Sequence, residues 1–212
     1  MSDTSQHSSA HLVDRHPQIA GAELVAGMVP PRQFDGATFD SYRPDPDHPS
    51  QAEARDLLRR FAEPEAPISR RGLFGRRKKA EPQPGGVTKP GVYLDGGFGV
   101  GKTHLLAATW HATAGRKYFG TFIEYTALVG ALGYAGAVGV LQGARLVCID
   151  EFELDDPGDT MLMTRLIGDL VATGSRIVAT SNTPPNALGE GRFAAADFLR
   201  EIQAMADRFV TL

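Results

Sequence analysis

Residues 91–106 read GVYLDGGFGVGKTHLL, and the fold turns on this stretch. Gly91-Val92-Tyr93-Leu94-Asp95 has the composition of a short strand. Gly96-Gly97-Phe98-Gly99-Val100-Gly101-Lys102-Thr103 then meets the pattern G-x-x-x-x-G-K-[ST] at every specified position, and a helix is predicted from about Lys102 to Ala114. The glycines let the backbone curl until successive N–H groups face one anion, and the following helix adds the positive end of its dipole. In such a loop Lys102 reaches the β- and γ-phosphates of a nucleotide, and the Thr103 hydroxyl coordinates Mg²⁺. A chain of this length matches the pattern by accident in roughly 1% of cases, and the flanking strand and helix make an accident rarer. The nucleotide-binding set is therefore Gly96, Gly97, Phe98, Gly99, Val100, Gly101, Lys102, Thr103 and His104. The His104 side chain by itself reads as packing or surface, and Leu105, Leu106 and Trp110 as core.

Toward the C-terminus, strands alternate with helices. Tyr118 to Tyr125 reads as a second strand and Arg145 to Asp150 as a third, apolar in its middle as a strand covered on both faces should be. Asp159 reads as the cap of a helix carrying Leu162, Met163, Leu166, Ile167 and Leu170. Ser175 to Thr180 is the fourth strand, a helix spans about Ala194 to Ala206, and Arg208 to Leu212 is the fifth strand. Such alternation implies an α/β fold with a parallel sheet. Leu146-Val147-Cys148-Ile149-Asp150-Glu151 delivers two acids to the carboxyl edge of that sheet, where ligands bind. Asp150 can hold Mg²⁺ there, and Glu151 can orient and deprotonate an attacking water. Strand four ends in Ala179-Thr180-Ser181-Asn182, and in P-loop sheets this strand commonly inserts between the first and third, which would place Asn182 near a γ-phosphate; Asn182-Thr183-Pro184-Pro185 is also good turn chemistry, and both roles can coexist. Gly130, Gly133, Gly136, Gly139 and Gly143 punctuate an Ala/Val/Leu stretch that suits either close helix packing or a loose loop facing a substrate.

Toward the N-terminus, residues 1–48 are rich in Ser, His, Pro and Asp and read as extended or partly disordered. Ser50-Gln51-Ala52-Glu53 has the form of a capping box, and Ala54, Leu57, Leu58 and Phe61 follow at helical spacing up to Glu63-Pro64. Residues 49–90 therefore comprise a short helix and a loop, and 91–212 the nucleotide-binding core. The loop holds Arg70, Arg71, Arg76, Arg77, Lys78 and Lys79 around Leu73-Phe74. That run reads as a solvated insertion, or as a contact for an anionic membrane face worth roughly 1 kcal/mol per cation, with nucleic acid behind both.

A net charge of −3 does not argue for nucleic acid or membranes by itself. The single cysteine, Cys148, lies in an apolar run and points to a reducing compartment. The first residues lack the basic-then-apolar layout of a leader. The apolar run from about Ala127 to Leu141 falls short of the roughly 20 residues a bilayer requires. The expectation is a soluble, cytoplasmic protein, peripheral to a membrane at most.

FDSYRPDPDHPSQAEA at 39–54, GGFGVGKT at 96–103, CIDEFELDD at 148–156 and ATSNTPP at 179–185 together resemble the ZapE-type cell-division ATPases, AAA+ proteins with mitochondrial relatives. The likeness covers roughly residues 29–212. The glycine loop and acid pair are widespread, whereas Glu151-Phe152 with Asp156, and Ser181-Asn182 before two prolines, are more particular. The resemblance implies phosphate and Mg²⁺ contacts at Lys102 and Thr103, metal and water-activating acids at Asp150 and Glu151, and a first sensor at Asn182. It brings Phe39 to Arg43 toward the adenine. Ala195 stands where the family's usual Arg lies, three residues before Phe198, so Arg192 or Arg200 is the candidate arginine finger. Family members run on into a helical lid, which is expected to be absent from this chain, and the loop before the first strand is longer and more basic than theirs.

The expected architecture is a P-loop NTPase of the AAA+ type with strands ordered 5-1-4-3-2. The expected activity is hydrolysis of ATP with Mg²⁺ in a homo-oligomer, Lys102, Glu151, Asn182 and Arg192 acting in catalysis. By resemblance, the tubulin-like FtsZ or another division protein is the partner. A helicase-loader-like protein acting with DNA, or an adaptor that binds ATP with little turnover, are the alternatives. A small-molecule kinase fits least, because Glu151 supplies a base.

Overall fold

The computed structural model describes residues 21–63, 88–154, 157–188 and 199–212. Its sheet is built from β1 (Gly91–Leu94), β2 (Lys117–Thr121), β3 (Leu146–Asp150), β4 (Arg176–Thr180) and β5 (Phe209–Thr211). All pairings are parallel and the order is β2-β3-β4-β1-β5, which is the expected 5-1-4-3-2 read from the other edge. Strand residues alternate between two apolar layers, as a period of two requires. Tyr93, Val147, Ile149, Ile177 and Ala179 face one layer. Val92, Leu94, Phe119, Leu146, Cys148 and Val178 face the other. Both layers are covered, so β1 and β3 are buried along their whole length.

On one face lie α2 (Pro49–Ala62) and α3 (Lys102–Ala112). Leu58 and Phe61 of α2 pack toward Leu105, Leu106 and Val92, and all five are buried. The helix begins two residues earlier than a Ser50 cap requires. His48 is the N-cap, without a side-chain bond, and Pro49 takes the first turn, where its missing N–H costs nothing. The capping box expected at Ser50 and Glu53 is therefore not formed. Residues 34–42, where the sequence suggests extended chain, fold onto this face too. Ala37, Phe39 and Tyr42 are buried in it, and the Phe119 N–H of β2 donates to the Met28 carbonyl at 2.9 Å. A short helix, α1 (Gly21–Ala26), precedes them on the opposite face, packed on the long helix that follows β2.

The opposite face carries α4 (Phe122–Leu141), α5 (Pro157–Ala172) and α6 (Leu199–Ala206). The expected strand from Tyr118 to Tyr125 ends at Thr121, because Thr121 and Glu124 form the real capping box. The Thr121 Oγ1 accepts from the Glu124 N–H at 3.3 Å, and the Glu124 carboxylate accepts from the Thr121 N–H at 2.6 Å. The Gly-rich stretch is helix, kinked at Gly133, whose φ of +69° interrupts the helical backbone. Cβ atoms built on Gly130 and Gly139 would meet open space, so these two glycines do not serve close packing among the described residues. At 20 residues, α4 is longer than the apolar run anticipated and meets the length and composition of a membrane span; it packs against β2, α1 and α5. Asp159 sits inside the first turn of α5, which starts at Pro157, where a carboxylate complements the helix dipole without being the cap.

Candidate functional site

The loop between β1 and α3 curls through three left-handed glycines, Gly96 at φ +135°, Gly99 at +80° and Gly101 at +86°. Side chains added at Gly97 or Gly99 would point into open space, while a Cβ at Gly101 would stand 2.7 Å from the Tyr42 ring. Tyr42 braces the loop from behind, donating its hydroxyl to the Val100 carbonyl at 2.7 Å. His104 Nε2 lies 3.0 Å from both Ser41 Oγ and the Thr38 carbonyl, tying the first turn of α3 to the same segment. Gly101→Ala therefore meets a clash and a strained backbone together. It should weaken Mg-nucleotide binding by about 1–3 kcal/mol, read as the Kd of a fluorescent analogue, with the circular dichroism of the fold retained.

Across the cleft, β3 ends in Asp150, 7% exposed. Its Oδ1 accepts from the Thr103 hydroxyl at 3.2 Å and from the Thr180 hydroxyl. Glu151 then breaks the strand with φ +53°, the only positive φ on a non-glycine among the described residues. Its N–H donates to Thr180 Oγ1 at 3.1 Å, and the Phe152 N–H to the Thr180 carbonyl at 2.7 Å. This turn frees the Glu151 carboxylate on the cavity wall while Phe152 and Leu154 return to the core. Such left-handed backbone on an L residue costs roughly 1–3 kcal/mol and persists where surrounding contacts hold it.

Lys102 Nζ donates to the Gly96 carbonyl at 2.6 Å, the Gly97 carbonyl at 2.8 Å and Asn182 Oδ1 at 2.9 Å. Burial lowers the pKa of its ammonium, opposed by the charges of Asp150, Asp95 and Glu153. Burial likewise raises the Asp95 carboxyl, opposed by Lys102. The turn after β4 is held by Glu153, whose Oε1 accepts from the Ser181 hydroxyl at 2.9 Å and whose Oε2 accepts from the Thr183 hydroxyl at 3.1 Å.

Lys102, Thr103, Asp150, Glu151 and Asn182 line one cavity of about 280 Å³ at the carboxyl ends of β1, β3 and β4. Phe98, Gly99, Gly101, Lys102, Thr103, His104, Asp150, Glu151 and Asn182 of the expected set are brought together there, joined by Phe34, Thr180 and Ser181. Gly96 and Gly97 act through their carbonyls on Lys102, and Val100 through its carbonyl on Tyr42. Arg192 and the basic run 70–79 lie outside the described residues; Arg200 is exposed on α6. Phe34, Tyr42 and Glu153 escaped sequence reasoning as individual residues. Tyr42 fell within a segment drawn in only by resemblance, and Phe34 carries no local signal at all.

The donor set fits the groups the motif implies. An open curl of backbone N–H groups at a helix start suits a chain of phosphates. One hydroxyl and one carboxylate, Thr103 and Asp150, suit a cation that keeps its waters and phosphate ligands, as Mg²⁺ does. No cluster of three or more His, Cys, Asp or Glu able to hold a metal by itself occurs among the described residues.

A glycine-curled anion loop after the first strand, paired acids after the third and a polar turn after the fourth, on a 5-1-4-3-2 sheet, define a P-loop protein of the AAA+ class. Within that class the chain belongs to the AFG1-like ATPase family, whose model matches residues 22–212. It is 33% identical over 144 residues to the cell division protein ZapE of Escherichia coli K12, covering 63% of this chain and 37% of that relative. It is 26% identical to an uncharacterised protein of Schizosaccharomyces pombe, over 64% of this chain and 34% of that one. The chain thus spans little more than a third of the curated relatives it matches. Among solved structures it resembles domain III of the Thermotoga maritima replication initiation protein DnaA, with a TM-score of 0.58, 16% identity, and 84% and 66% of the two chains covered. DnaI matches with a TM-score of 0.60 and 18% identity over 87% of this chain and 94% of that chain. At such identities the likeness concerns the fold alone.

Proposed function

We propose that this chain binds Mg-ATP and hydrolyses it to ADP and phosphate as the nucleotide-driven core of a cell-division factor acting on a protein partner. The observation that carries this reading is the meeting of Lys102, Thr103, Asp150, Glu151 and Asn182 in one cavity beneath an open anion loop. Lys102 supplies a localised positive charge beside that loop, and its partial desolvation strengthens each contact it makes. Thr103 and Asp150 are the residues that would hold Mg²⁺, which when bound neutralises charge on the β- and γ-phosphate oxygens. The Glu151 carboxylate orients the attacking water and takes its proton. Asn182, on the neighbouring strand's end, aligns the same water.

Homology to ZapE supports a role in division, with FtsZ polymers as the proposed client and the cytoplasmic side of the division site as the location. Arg192 from a neighbouring copy is the proposed finger that completes the site, so turnover per subunit should climb with protein concentration. The basic run 70–79 is the proposed contact to an anionic membrane face. DNA is not favoured as partner, because the likeness to DnaA and DnaI concerns fold alone.

Phosphate release by wild type and Lys102→Ala tests the catalytic core. Loss of one preorganised charge-stabilising donor should lower kcat/KM by about 10²–10³-fold, with melting temperature little changed because the Lys102 ammonium sits in the cavity. Equal rates in the two proteins would contradict the reading.

A further inference from the structure

Glu153, the second acid after β3, has no place in the nucleotide chemistry above, and its surroundings assign it one. Along 151–154 the chain alternates like a strand: Phe152 and Leu154 are fully buried, while Glu151 and Glu153 project toward the carboxyl edge of the sheet. The buried neighbours fix the backbone of Glu153 on both sides. Its two oxygens then gather the turn after β4. Oε1 accepts from the Ser181 hydroxyl at 2.9 Å and lies 3.4 Å from the Asn182 N–H; Oε2 accepts from the Thr183 hydroxyl at 3.1 Å. Ser181 is 1% exposed, so its hydroxyl depends on such an acceptor. The buried Tyr93 hydroxyl donates to the Thr183 carbonyl at 2.8 Å and also bonds the Ser181 hydroxyl, so Tyr93 and Glu153 hold the turn together. Asn182, at its apex, accepts from Lys102 on the far side of the cleft at 2.9 Å.

We infer that Glu153 is a positioning residue, whose carboxylate holds the 181–183 turn so that the Asn182 amide is presented to Lys102 across the nucleotide cavity. The inference rests on the ATPase reading and deepens it. With both oxygens engaged by the turn, Glu153 acts by the geometry of its hydrogen bonds rather than as a second base. Glutamine keeps the side-chain length and an oxygen for Ser181 and Asn182, whereas aspartate keeps the charge but falls one methylene short.

The test uses the whole chain with Glu153→Ala, Glu153→Gln, Glu153→Asp, Asn182→Ala and the Glu153→Ala/Asn182→Ala pair. Three quantities are read: Mg-ATP turnover, the Kd of a slowly hydrolysed Mg-ATP analogue, and amide hydrogen exchange of the nucleotide-free protein. Glu153→Ala should lower kcat by on the order of 10²-fold, the usual cost of misplacing a catalytic group by about an ångström, while the Kd moves by less than about threefold. Amides of Asn182 and Thr183 should exchange at least about tenfold faster without nucleotide. Gln should retain more turnover than Asp. In the Asn182→Ala background the further change should lower kcat by less than about twofold. Unchanged turnover or exchange in Glu153→Ala, better turnover in Asp than in Gln, or a full effect persisting without Asn182 overturns the inference. If the Ala variant does not fold, the Gln and Asp pair decides by the same criterion. Wild type that releases no phosphate sinks the ATPase reading and this inference with it, whereas active wild type matched by an equally active Glu153→Ala sinks this inference alone.

Discussion

Glu151→Gln will keep Mg-ATP bound while steady-state phosphate release falls by about 10²–10⁴-fold, the range expected for loss of a general base. The substitution keeps the side chain's size and length but removes its negative charge, and with it the capacity to take a proton. The backbone around it should survive, because the Glu151 N–H remains bonded to Thr180 Oγ1 and the Phe152 N–H to the Thr180 carbonyl. Asp150, bonded to the Thr103 and Thr180 hydroxyls, keeps its place as well. Filter binding and malachite-green phosphate detection on the same preparation separate the two quantities. A variant that releases phosphate at the wild-type rate would place the base elsewhere.

Phe152→Ala carries the largest expected effect on stability, about 3–5 kcal/mol. The ring is fully buried, edge-on to Tyr93 at 6.2 Å and to Phe122 at 5.3 Å between centroids. Removing it leaves a void where α4 meets the end of β3. Against a usual total of about 5–15 kcal/mol, that is a large fraction. At about 2–4 °C per kcal/mol for a domain of this size, the melting temperature should drop by roughly 6–20 °C. The ring also anchors the left-handed turn at Glu151, so turnover of the folded fraction should fall too. An unchanged melting temperature in scanning calorimetry would contradict the packing described.

The sheet order came with the resemblance to AAA+ proteins, while the glycine loop, the acids ending β3 and the parallel alternation of strands and helices were legible in the sequence. Each rests on a local pattern with a physical cause: positive-φ glycines before a helix, a buried strand ending in acids, and strands separated by helical lengths. The boundary between β2 and α4 was not legible. Tyr118, Phe119, Phe122 and Tyr125 have strand composition, and only the bonded pair Thr121 and Glu124 shows that a helix has started. Ser50 and Glu53 mislead in the opposite sense, since Pro49 starts α2 ahead of them. Propensity alone cannot say which of two capping patterns the tertiary packing uses.

In the site, residues that meet phosphate or metal chemistry carried motifs, and residues that support them did not. Tyr42 reaches the Val100 carbonyl across 58 positions of sequence. Glu153 reaches Ser181 across 28. No periodicity encodes such long-range bonds. The one hint for Glu153 was an alternation, Glu-Phe-Glu-Leu over 151–154, that carries the β3 pattern past the break at Glu151.

The central claim is that the cavity beneath the glycine loop receives a magnesium nucleotide. Isothermal titration of Mg-ATP into the folded Glu151→Gln protein, where hydrolysis heat is suppressed, tests it most directly. A saturable exothermic isotherm at one site per chain, abolished by Lys102→Ala, is the predicted result. A flat isotherm from folded protein, or one unaffected by the loss of Lys102, would contradict it.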